Sequence, residues 1–565
     1  MRDSSSSSMM AAAQSTRNRL READTSIKAL TAALWLLLVL AEEAEAAPSL
    51  FKNVKPLAVQ PGATAAAAPG QALQYALPQD VQVLFMPAPG GGVQPAVFEF
   101  QFDLQFLLTT PTAFTVNLPR VTAPILLRHR PDLNNLLSSV TASAGGDTPV
   151  SGQPSVINSA AVNLKSARLW TGQVGIANAG LSAVSFAAST DTWNIYGEIR
   201  YLENRTNRWR FFKIVPALTP YQLADMNAAD GTGSPPMQQP PVEVKCLVFE
   251  YRRLPTTSTP TRRSAAITAE SSPTAAAAAA AANSSSDSGS DFAYVIQEAI
   301  PPIPKGAEFN SDAGSSSTGS GSSRRQMLQS AANVVRQDVL MVYTGPAASN
   351  SFNGEYVRAS MVIVIAITNK AYLDSKVPVV LYLVGIRQVP WQESATPLQD
   401  VTSGASGLDI VAAWRNELSA DLVSFWYSSL SQPQLCGEAW VGGGDPFAYS
   451  SMNMPCWSGY FFAGAVARNQ GCRSNFYAPD YGPFADGLAG PYAFGLRRCV
   501  GCSSIMLTIA SNPCGCNRQH EPVGFFSNPN LKVRVNNTWQ PLGHPTKADC
   551  ARGITETALA VSLYR

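Results

Sequence analysis

The chain has 565 residues, of which 45% are hydrophobic and 14% are charged, and its formal net charge at pH 7 is +2. This length predicts two or more domains, and the apolar content is sufficient for a sizeable core. The small net charge gives no electrostatic reason to expect binding to nucleic acid or to an anionic membrane surface. Both classes of partner are therefore excluded as first hypotheses.

Residues 1–47 are predicted to be a secretory signal peptide. Basic residues precede the apolar run Ala29–Ala41, and Ala44-Glu45-Ala46 resembles a signal-peptidase site. The run is shorter than the roughly 20 residues needed to span a bilayer, which favours a cleaved signal over a signal anchor. No second apolar run of membrane length follows. We therefore expect a secreted, extracellular protein without a stable membrane span.

Cysteine usage agrees with secretion, because eight of the nine cysteines fall between Cys436 and Cys550. An even number of cysteines in an oxidising compartment predicts up to four disulfides. The alternative is a zinc ribbon, which requires two C-x₂-C pairs; Cys499 and Cys502 have that spacing, but Cys514 and Cys516 do not. Three sequons predict N-glycosylation. They lie at Asn204, Asn283 and Asn536.

The N-terminal half is predicted to contain an all-β domain. Residues 48–96 are rich in Pro, Ala and Gly and are expected to be extended. Residues 97–254 contain short β-rich segments separated by Gly, Asn and Asp, which predicts an antiparallel meander or sandwich.

Residues 255–325 are predicted to form a disordered linker. They contain the alanine run 275–282 followed by Ser, Gly and Asp, a composition that cannot bury enough apolar surface to order itself. The linker ends in Arg324-Arg325, which is either a processing site in an exposed segment or a pair of solvated arginines.

Residues 326–565 are predicted to form an α/β domain. Strand-like runs at 337–345, 377–389 and 420–427 alternate with helical patterns at 353–373 and 406–418. The run 353–373 is also rich in β-branched residues, but its length favours a helix. This alternation predicts a mixed, largely parallel sheet with helices packed on it.

The same segments, in the same order, resemble the reprolysin-like zinc metallopeptidases of the metzincin class, close to the bacterial peptidyl-Asp type. The resemblance is carried by eight short phrases: DVLMVYTGPAA (338–348), ITNKAYLDSKVPVVLYLVGIRQV (367–389), LDIVAAWRNELSADLVSFW (408–426), LCGEAWVGGG (435–444), PYAFGLR (491–497), SSIM (503–506), VGFFSNPNL (523–531) and KADCARGITETALAVSLYR (547–565). The fold implied is a metzincin-like zincin domain of the α/β (α+β) class. Residues 97–254 resemble the pro-region of this family, through Trp170–Val174 and Gly197–Arg200.

The resemblance also implies roles for particular residues. Gly437, Glu438, Ala439 and Trp440 would lie on the edge strand that binds extended substrate. Met506 would form the Met-turn beneath the metal site. A cysteine near the C-terminus often pairs with the edge-strand cysteine in this family, which implies a Cys436–Cys550 disulfide.

The zinc-binding motif of that family, H-E-x-x-H-x-x-G-x-x-H, is degenerate where it aligns with FAGAVARNQGCRSN (462–475). The ligand and general-base positions become Gly464, Ala465, Arg468 and Ser474, and only the turn glycine, Gly471, remains. Zinc hydrolysis needs three ligands, an open position and a general base. The chain is therefore expected to hold no metal and no other cofactor.

The loss of the zinc ligands leaves alternatives open for two residues. Arg468 either fills the former metal cavity, where a carboxylate or a bound anion would be its partner, or points to solvent. A cysteine of the pro-region can bind the zinc ion of such a peptidase as a thiolate. Because no zinc is expected in this chain, Cys246 is expected to be a free buried thiol or to form an intermolecular disulfide. The three histidines, at 129, 520 and 544, lack helical spacing to one another and are expected in solvated loops.

Three functions compete on this basis. The first is a secreted pseudoprotease, an inactive metallopeptidase homologue that binds an extended peptide or an extracellular protein in the former substrate cleft. The second is an active zinc metalloendopeptidase with non-standard ligands near Met506. The third is a structural extracellular glycoprotein whose cleft is filled by side chains.

Overall fold

A computed structural model describes the sheets and helices of both halves of the chain. The described residues are 51–57, 96–102, 113–116, 118, 121, 125–129, 167–174, 182–189, 194–203, 208–217, 244–251, 295–299, 334–349, 355–428, 435–442, 444–457, 459–474, 490–500, 503–509, 523–535 and 538–565. The signal peptide, the three sequons and the Arg324-Arg325 pair lie outside them.

Nine strands form one antiparallel sheet, in the order β1-β2-β9-β8-β7-β6-β5-β4-β3. Their bounds are β1 Phe51–Leu57, β2 Ala96–Phe102, β3 Ala113–Val116, β4 Ile125–His129, β5 Ala167–Val174, β6 Ser182–Ser189, β7 Ile195–Glu203, β8 Arg208–Pro216 and β9 Val244–Tyr251. Strands β5 to β9 are neighbours in chain order, so the predicted meander is present. Its strands begin and end close to the β-rich segments of the sequence.

The two faces of this sheet pack in different cores, because successive side chains of a strand point to opposite sides. In β7, Ile195, Ile199 and Tyr201 join a core made of residues of this sheet and of the segment between β3 and β4. Tyr196 of the same strand joins a core that continues into the C-terminal half. The free thiol of Cys246 lies in the first of these cores, and burial raises its pKa. This confirms the buried-thiol alternative for Cys246.

A six-stranded mixed sheet forms the centre of the C-terminal half, in the order β10-β14-β15-β13-β11-β12. Four of its five pairings are parallel, and only β14 with β15 is antiparallel. The strands are β10 Val295–Ala299, β11 Val335–Thr344, β12 Val379–Val389, β13 Leu422–Tyr427, β14 Leu435–Trp440 and β15 Tyr449–Asn453. The prediction of a mixed, largely parallel sheet is confirmed.

Six α-helices are described around this sheet. They are α1 Gly345–Ser349, α2 Glu355–Asp374, α3 Pro397–Ser403, α4 Asp409–Glu417, α5 Phe461–Asn469 and α6 Cys550–Val561. Helix α2 occupies the segment whose pattern fitted both a strand and a helix. It contacts β12 on one side and β5, β6 and β7 of the nine-stranded sheet on the other. A helix covered on both sides needs apolar residues nearly all round, which explains its mixed sequence signal.

Two hairpins complete the C-terminal half. They consist of β16 Arg497–Val500 with β17 Ser503–Leu507, and β18 Asn528–Val535 with β19 Thr538–Leu542. None of the helices in the described ranges is long and apolar enough to cross a membrane.

Two local predictions are wrong. The range 255–325 is not wholly a disordered linker, because Val295–Ala299 forms β10, whose main chain pairs with β14. The rest of that range lies outside the described residues. The helix predicted from residue 406 begins later, because Ser406 lies in a 3-10 turn with a positive φ of 57° and α4 starts at Asp409.

Candidate functional site

Helix α5 lies against the end of β14, and main-chain hydrogen bonds hold it there. The N–H of Gly442 donates to the carbonyl of Arg468 at 3.0 Å. The side-chain amide of Asn469 donates to the carbonyls of Trp440 at 3.0 Å and Tyr449 at 2.9 Å. The last turn of α5 is therefore fixed to the two antiparallel strands at one side of the sheet.

The four aligned positions of the zinc motif are all buried in or just after α5. Gly464, Ala465 and Arg468 lie on the helix, and Ser474 follows the turn that ends it. Arg468 is 2% exposed and Ser474 is 0% exposed. The structure therefore brings the first three positions together on one helix, as the alignment requires.

Arg468 turns back along its own helix. Its Nη1 donates a hydrogen bond of 2.9 Å to the carbonyl oxygen of Gly464. With 2% of the residue exposed, the alternative of an arginine pointing into solvent is wrong. The guanidinium occupies interior space on the motif-bearing helix.

The donor set at these positions does not suit Zn²⁺. Structural and catalytic zinc sites use imidazole, thiolate or carboxylate ligands. Gly464 offers only its main-chain carbonyl, which already accepts the Arg468 hydrogen bond, and Ala465 has no donor atom. A fixed cation at 468 would repel a metal ion placed beside it. Within the described residues, no three His, Cys, Asp or Glu side chains cluster closely enough to hold a metal.

The turn after α5 has the geometry that its glycine predicts. Gly471 has a φ of 90°, and its N–H donates to the carbonyl of Arg468 at 2.8 Å. It follows the last helical residue, Asn469, and the capping residue Gln470. Gly471 is thus the left-handed residue that closes the helix, at the C′ position that glycine favours.

A buried polar network beside this turn was not predicted. The Tyr372 hydroxyl donates to Oε1 of Gln470 at 2.8 Å, and Nε2 of Gln470 donates to Oε1 of Gln337 at 2.7 Å. Thr557 donates to the Gln470 carbonyl at 2.8 Å. The network joins α5 to α2, β11 and α6. In the sequence, the residues of this network are single polar residues among apolar neighbours. That pattern does not show which residues form hydrogen bonds with one another.

Strand β14 carries the residues expected on the substrate edge, Gly437, Glu438, Ala439 and Trp440. One side of β14 pairs antiparallel with β15. The other side pairs in parallel with β10, where Ile296–Ala299 lie opposite Gly437–Trp440. The side of β14 that was expected to bind an extended substrate is therefore covered by β10 of the same chain. β10 also contacts α5.

Two residues of β14 are tightly enclosed. A Cβ added to Gly437 would lie 2.1 Å from the main-chain oxygen of Ser451, so only glycine allows β14 and β15 to approach this closely. Glu438 is 8% exposed, and burial raises the pKa of its carboxyl group. Its N–H donates to the Ser451 hydroxyl at 3.2 Å.

The predicted Cys436–Cys550 disulfide is wrong. Cys436 in β14 pairs with Cys456 in the 3-10 turn after β15, with Cα atoms 5.2 Å apart. Cys550, at the start of α6, pairs with Cys472 in the turn after α5, with Cα atoms 5.3 Å apart. Each cysteine pairs with the one that the local fold brings to bonding distance, and α6 begins beside the α5 turn rather than beside β14.

Met506 does not lie in a turn. It belongs to β17, where it lies opposite Arg498 of β16. The segment SSIML pairs antiparallel with β16, with a register shift between Arg498 and Cys499, so its strand preference overrides the turn expected from the resemblance. His544 is exposed in a loop, as expected, but His129 ends strand β4 instead. His520 lies outside the described residues.

Known proteins resemble the C-terminal half of this chain. Residues 334–465 match the model of the family described as metallo-peptidase family M12B, reprolysin-like. A peptidyl-Asp metalloendopeptidase of Pseudomonas aeruginosa is 28% identical over 258 residues, which cover 40% of this chain and 40% of that protein. One of Stenotrophomonas maltophilia is 25% identical over 236 residues, which cover 40% of this chain and 52% of that protein.

The chain thus spans about half, or less, of the length of the curated relatives that it matches. A solved structure described as "Structure of a chaperone-substrate complex" aligns at 17% identity, covering 41% of this chain and 35% of that one. Its TM-score of 0.31 is too low to assign a fold.

Proposed function

We propose that this chain is a secreted metallopeptidase homologue that binds an extended peptide without hydrolysing it, because residues 334–465 match the reprolysin-like family model. Two separable claims make up this proposal. The chemistry of α5 supports the loss of hydrolysis, and the pairing of β14 supports peptide binding.

Loss of hydrolysis rests on the side chains of α5. Zinc peptidases need a metal-bound water, whose pKa the metal lowers to about 7, and a carboxylate that takes its proton. Ala465 stands where the motif has the carboxylate, and Arg468 stands where it has a ligand. The hydrogen bond from Arg468 to Gly464 fills this stretch of the helix with a fixed cation. Such a helix retains its packing role and lacks the groups that activate water.

Peptide binding rests on one observation, the added strand β10. A strand donates and accepts main-chain hydrogen bonds along an edge, so an edge that holds one extended segment can hold another of similar sequence. β10 lies along β14 from Gly437 to Trp440 and contacts α5. Binding of a separate peptide there requires β10 to leave. The proposed site is therefore one in which the chain's own strand and an external peptide compete.

Secretion is supported by two features. The N-terminal sequence has the basic, apolar and small-residue order of a signal peptide. The disulfides Cys436–Cys456 and Cys472–Cys550 are typical of proteins that fold in an oxidising compartment. N-terminal sequencing of the protein from the medium of a secreting host tests this part; cleavage near Ala46 supports it.

Peptide binding is tested by removing β10 from its edge. The double substitution Ile296→Pro/Gln297→Pro removes two adjacent main-chain N–H groups, so β10 loses ladder bonds whichever N–H faces β14. Ile296→Ala/Gln297→Ala keeps both N–H groups and is the matched control. A fluorescent peptide with the sequence of residues 293–301 should bind the proline variant saturably and the alanine variant much more weakly.

Two outcomes decide this test. Saturable binding to the proline variant, abolished when the peptide itself carries proline at the positions of Ile296 and Gln297, supports an edge open to strand addition. No binding by a proline variant that keeps its cooperative unfolding transition contradicts it. That second result favours the structural role, in which β10 simply completes the sheet.

A further inference from the structure

The face of the nine-stranded sheet that is turned toward the C-terminal half is continuous with that half's core. Its apolar residues are at most 5% exposed and belong to the same buried cluster as the residues of α2. They come from six strands of the sheet. They are Val97, Leu169, Ala187, Tyr196, Val215, Leu247 and Phe249. A core shared in this way is typical of permanent interfaces, which resemble a domain core cut in half.

Aromatic rings extend this contact toward the candidate site. Tyr196 of the sheet lies 5.7 Å from Tyr356 of α2, measured between ring centroids. Tyr356 lies 5.9 Å from Trp457, and the Trp457 indole donates to the Tyr356 hydroxyl at 2.9 Å. The sheet therefore reaches, through one intervening ring, the segment that leads into α5.

Charged side chains of the sheet are buried against the same segment. Glu198 accepts hydrogen bonds of 3.1 Å and 3.3 Å from the main-chain N–H of Gly459. The Arg200 guanidinium lies 4.3 Å from the ring centroid of Tyr460, and Lys213 Nζ lies 5.2 Å from that of Trp457. Glu198 and Arg200 are each 1% exposed.

Separation of the two halves would uncover all of these groups at once. The apolar residues would form a contiguous exposed patch of the kind that monomeric proteins avoid. Gly459 would lose the Glu198 carboxylate that accepts the hydrogen bond from its N–H. Gly459 also lies two residues before α5 begins, so the start of that helix would lose its support from the sheet.

We infer that the nine-stranded sheet is a permanent part of the protein: when the connecting chain is cut, the sheet stays bound to the α/β domain as a non-covalent complex. The resemblance of residues 97–254 to a pro-region suggests instead a segment that leaves after processing. The shared core and the Glu198–Gly459 contact argue for retention. A cut at Arg324-Arg325, should it occur, would then yield two chains that remain one particle.

The test cuts the full-length protein between β9 and β10. After that cut, only non-covalent contacts hold the nine-stranded sheet to the C-terminal half. A sequence-specific protease site replaces the alanine run 275–282, so that β10 remains covalently attached to the C-terminal piece. The purified protein is cleaved and applied to size-exclusion chromatography in non-denaturing buffer at low micromolar concentration. Co-elution of both pieces at the uncut volume is expected. Elution of the sheet piece as a separate peak, from protein that was folded before cleavage, overturns the inference.

Two substitutions on one strand separate interface loss from general unfolding. Tyr196→Ala removes a ring on the shared face of β7, whereas Tyr201→Ala removes a ring of the same size on the opposite face. After cleavage, the Tyr196 variant should release at least ten times more sheet piece than the Tyr201 variant. Equal release from both variants would contradict the assignment of the holding contact to the shared face.

Discussion

The guanidinium of Arg468 donates a hydrogen bond to the carbonyl oxygen of Gly464, one turn earlier on α5. In the alignment predicted from the sequence, these two residues take the positions of the first two histidines of the zinc-peptidase motif. In this chain they bond to each other across 2.9 Å, in the interior of the protein. The relationship makes α5 a packed structural helix, and several measurable consequences depend on it.

Removal of the Arg468 side chain should destabilise the protein. Arg468 is 2% exposed, so Arg468→Ala leaves a cavity where the side chain was. We expect a loss of about 2–4 kcal/mol in the free energy of unfolding. Arg468→Met retains most of the volume without the charge and should lose less. Urea unfolding of both variants measures the difference. An Arg468→Ala variant as stable as the parent would show that the side chain is not interior.

Substitution of Gly437 should disrupt β14. Gly437→Ala would place a Cβ 2.1 Å from the Ser451 main-chain oxygen, which the two strands can accommodate only by moving apart. We expect a loss of about 1–3 kcal/mol, in the range of other overpacked positions. Gly345→Ala is the control, because the nearest atom to its added Cβ is 3.9 Å away. Equal thermal stability of the two variants would contradict the close approach.

The disulfide pairing can be checked by peptide mapping. A non-reducing digest should yield one linked pair of peptides that contains Cys436 and Cys456, and another that contains Cys472 and Cys550. The double variant Cys472→Ala/Cys550→Ala should lose about 2–5 kcal/mol of stability, because the bond closes a loop between residues 78 apart. Linkage of Cys436 to Cys550 in the map would contradict the arrangement of α5 and α6.

Asp421 should make stability depend on pH. Burial raises the pKa of its carboxyl group to about 6, although the Asp338 N–H donates to it at 2.8 Å. A raised pKa means that the folded protein binds the proton more tightly than the unfolded chain. Stability is therefore highest below about pH 4 for this group and declines as pH rises through about 6.

The substitution Asp421→Asn tests this dependence. The amide oxygen keeps an acceptor for Asp338, and the slope between pH 4 and pH 7 should shrink. At pH 8 the variant should be more stable by up to about 3 kcal/mol, the free energy of a two-unit pKa shift. Urea unfolding at several pH values measures both effects. An unchanged slope would assign the pH dependence to other groups.

Periodicity and turn residues were sufficient to predict most of the fold. The apolar spacing in α2 and the β-branched runs of β11, β12 and β13 indicated elements that the structure contains. The glycine at 471 indicated the end of α5 because only a left-handed residue closes that turn well. These features depend on residues that are close in sequence.

Contacts between distant segments could not be predicted in the same way. The eight cysteines between Cys436 and Cys550 allow many pairings, and spacing does not choose among them. The Gln470 network and the shared face of the nine-stranded sheet depend on which elements meet. The pairing of β10 with β14 joins residues about 140 apart in sequence, and nothing in Val295–Ala299 alone identifies its partner.

Zinc content tests the central claim most directly. The full-length secreted protein should be purified without chelator, measured by elemental analysis, and assayed for chelator-sensitive cleavage of unstructured peptides. We expect far less than one zinc per chain and no chelator-sensitive cleavage, because α5 carries Gly464, Ala465 and Arg468 at the motif positions. One zinc per chain together with chelator-sensitive cleavage would contradict the account and would show that residues elsewhere in the chain rebuild an active metal site.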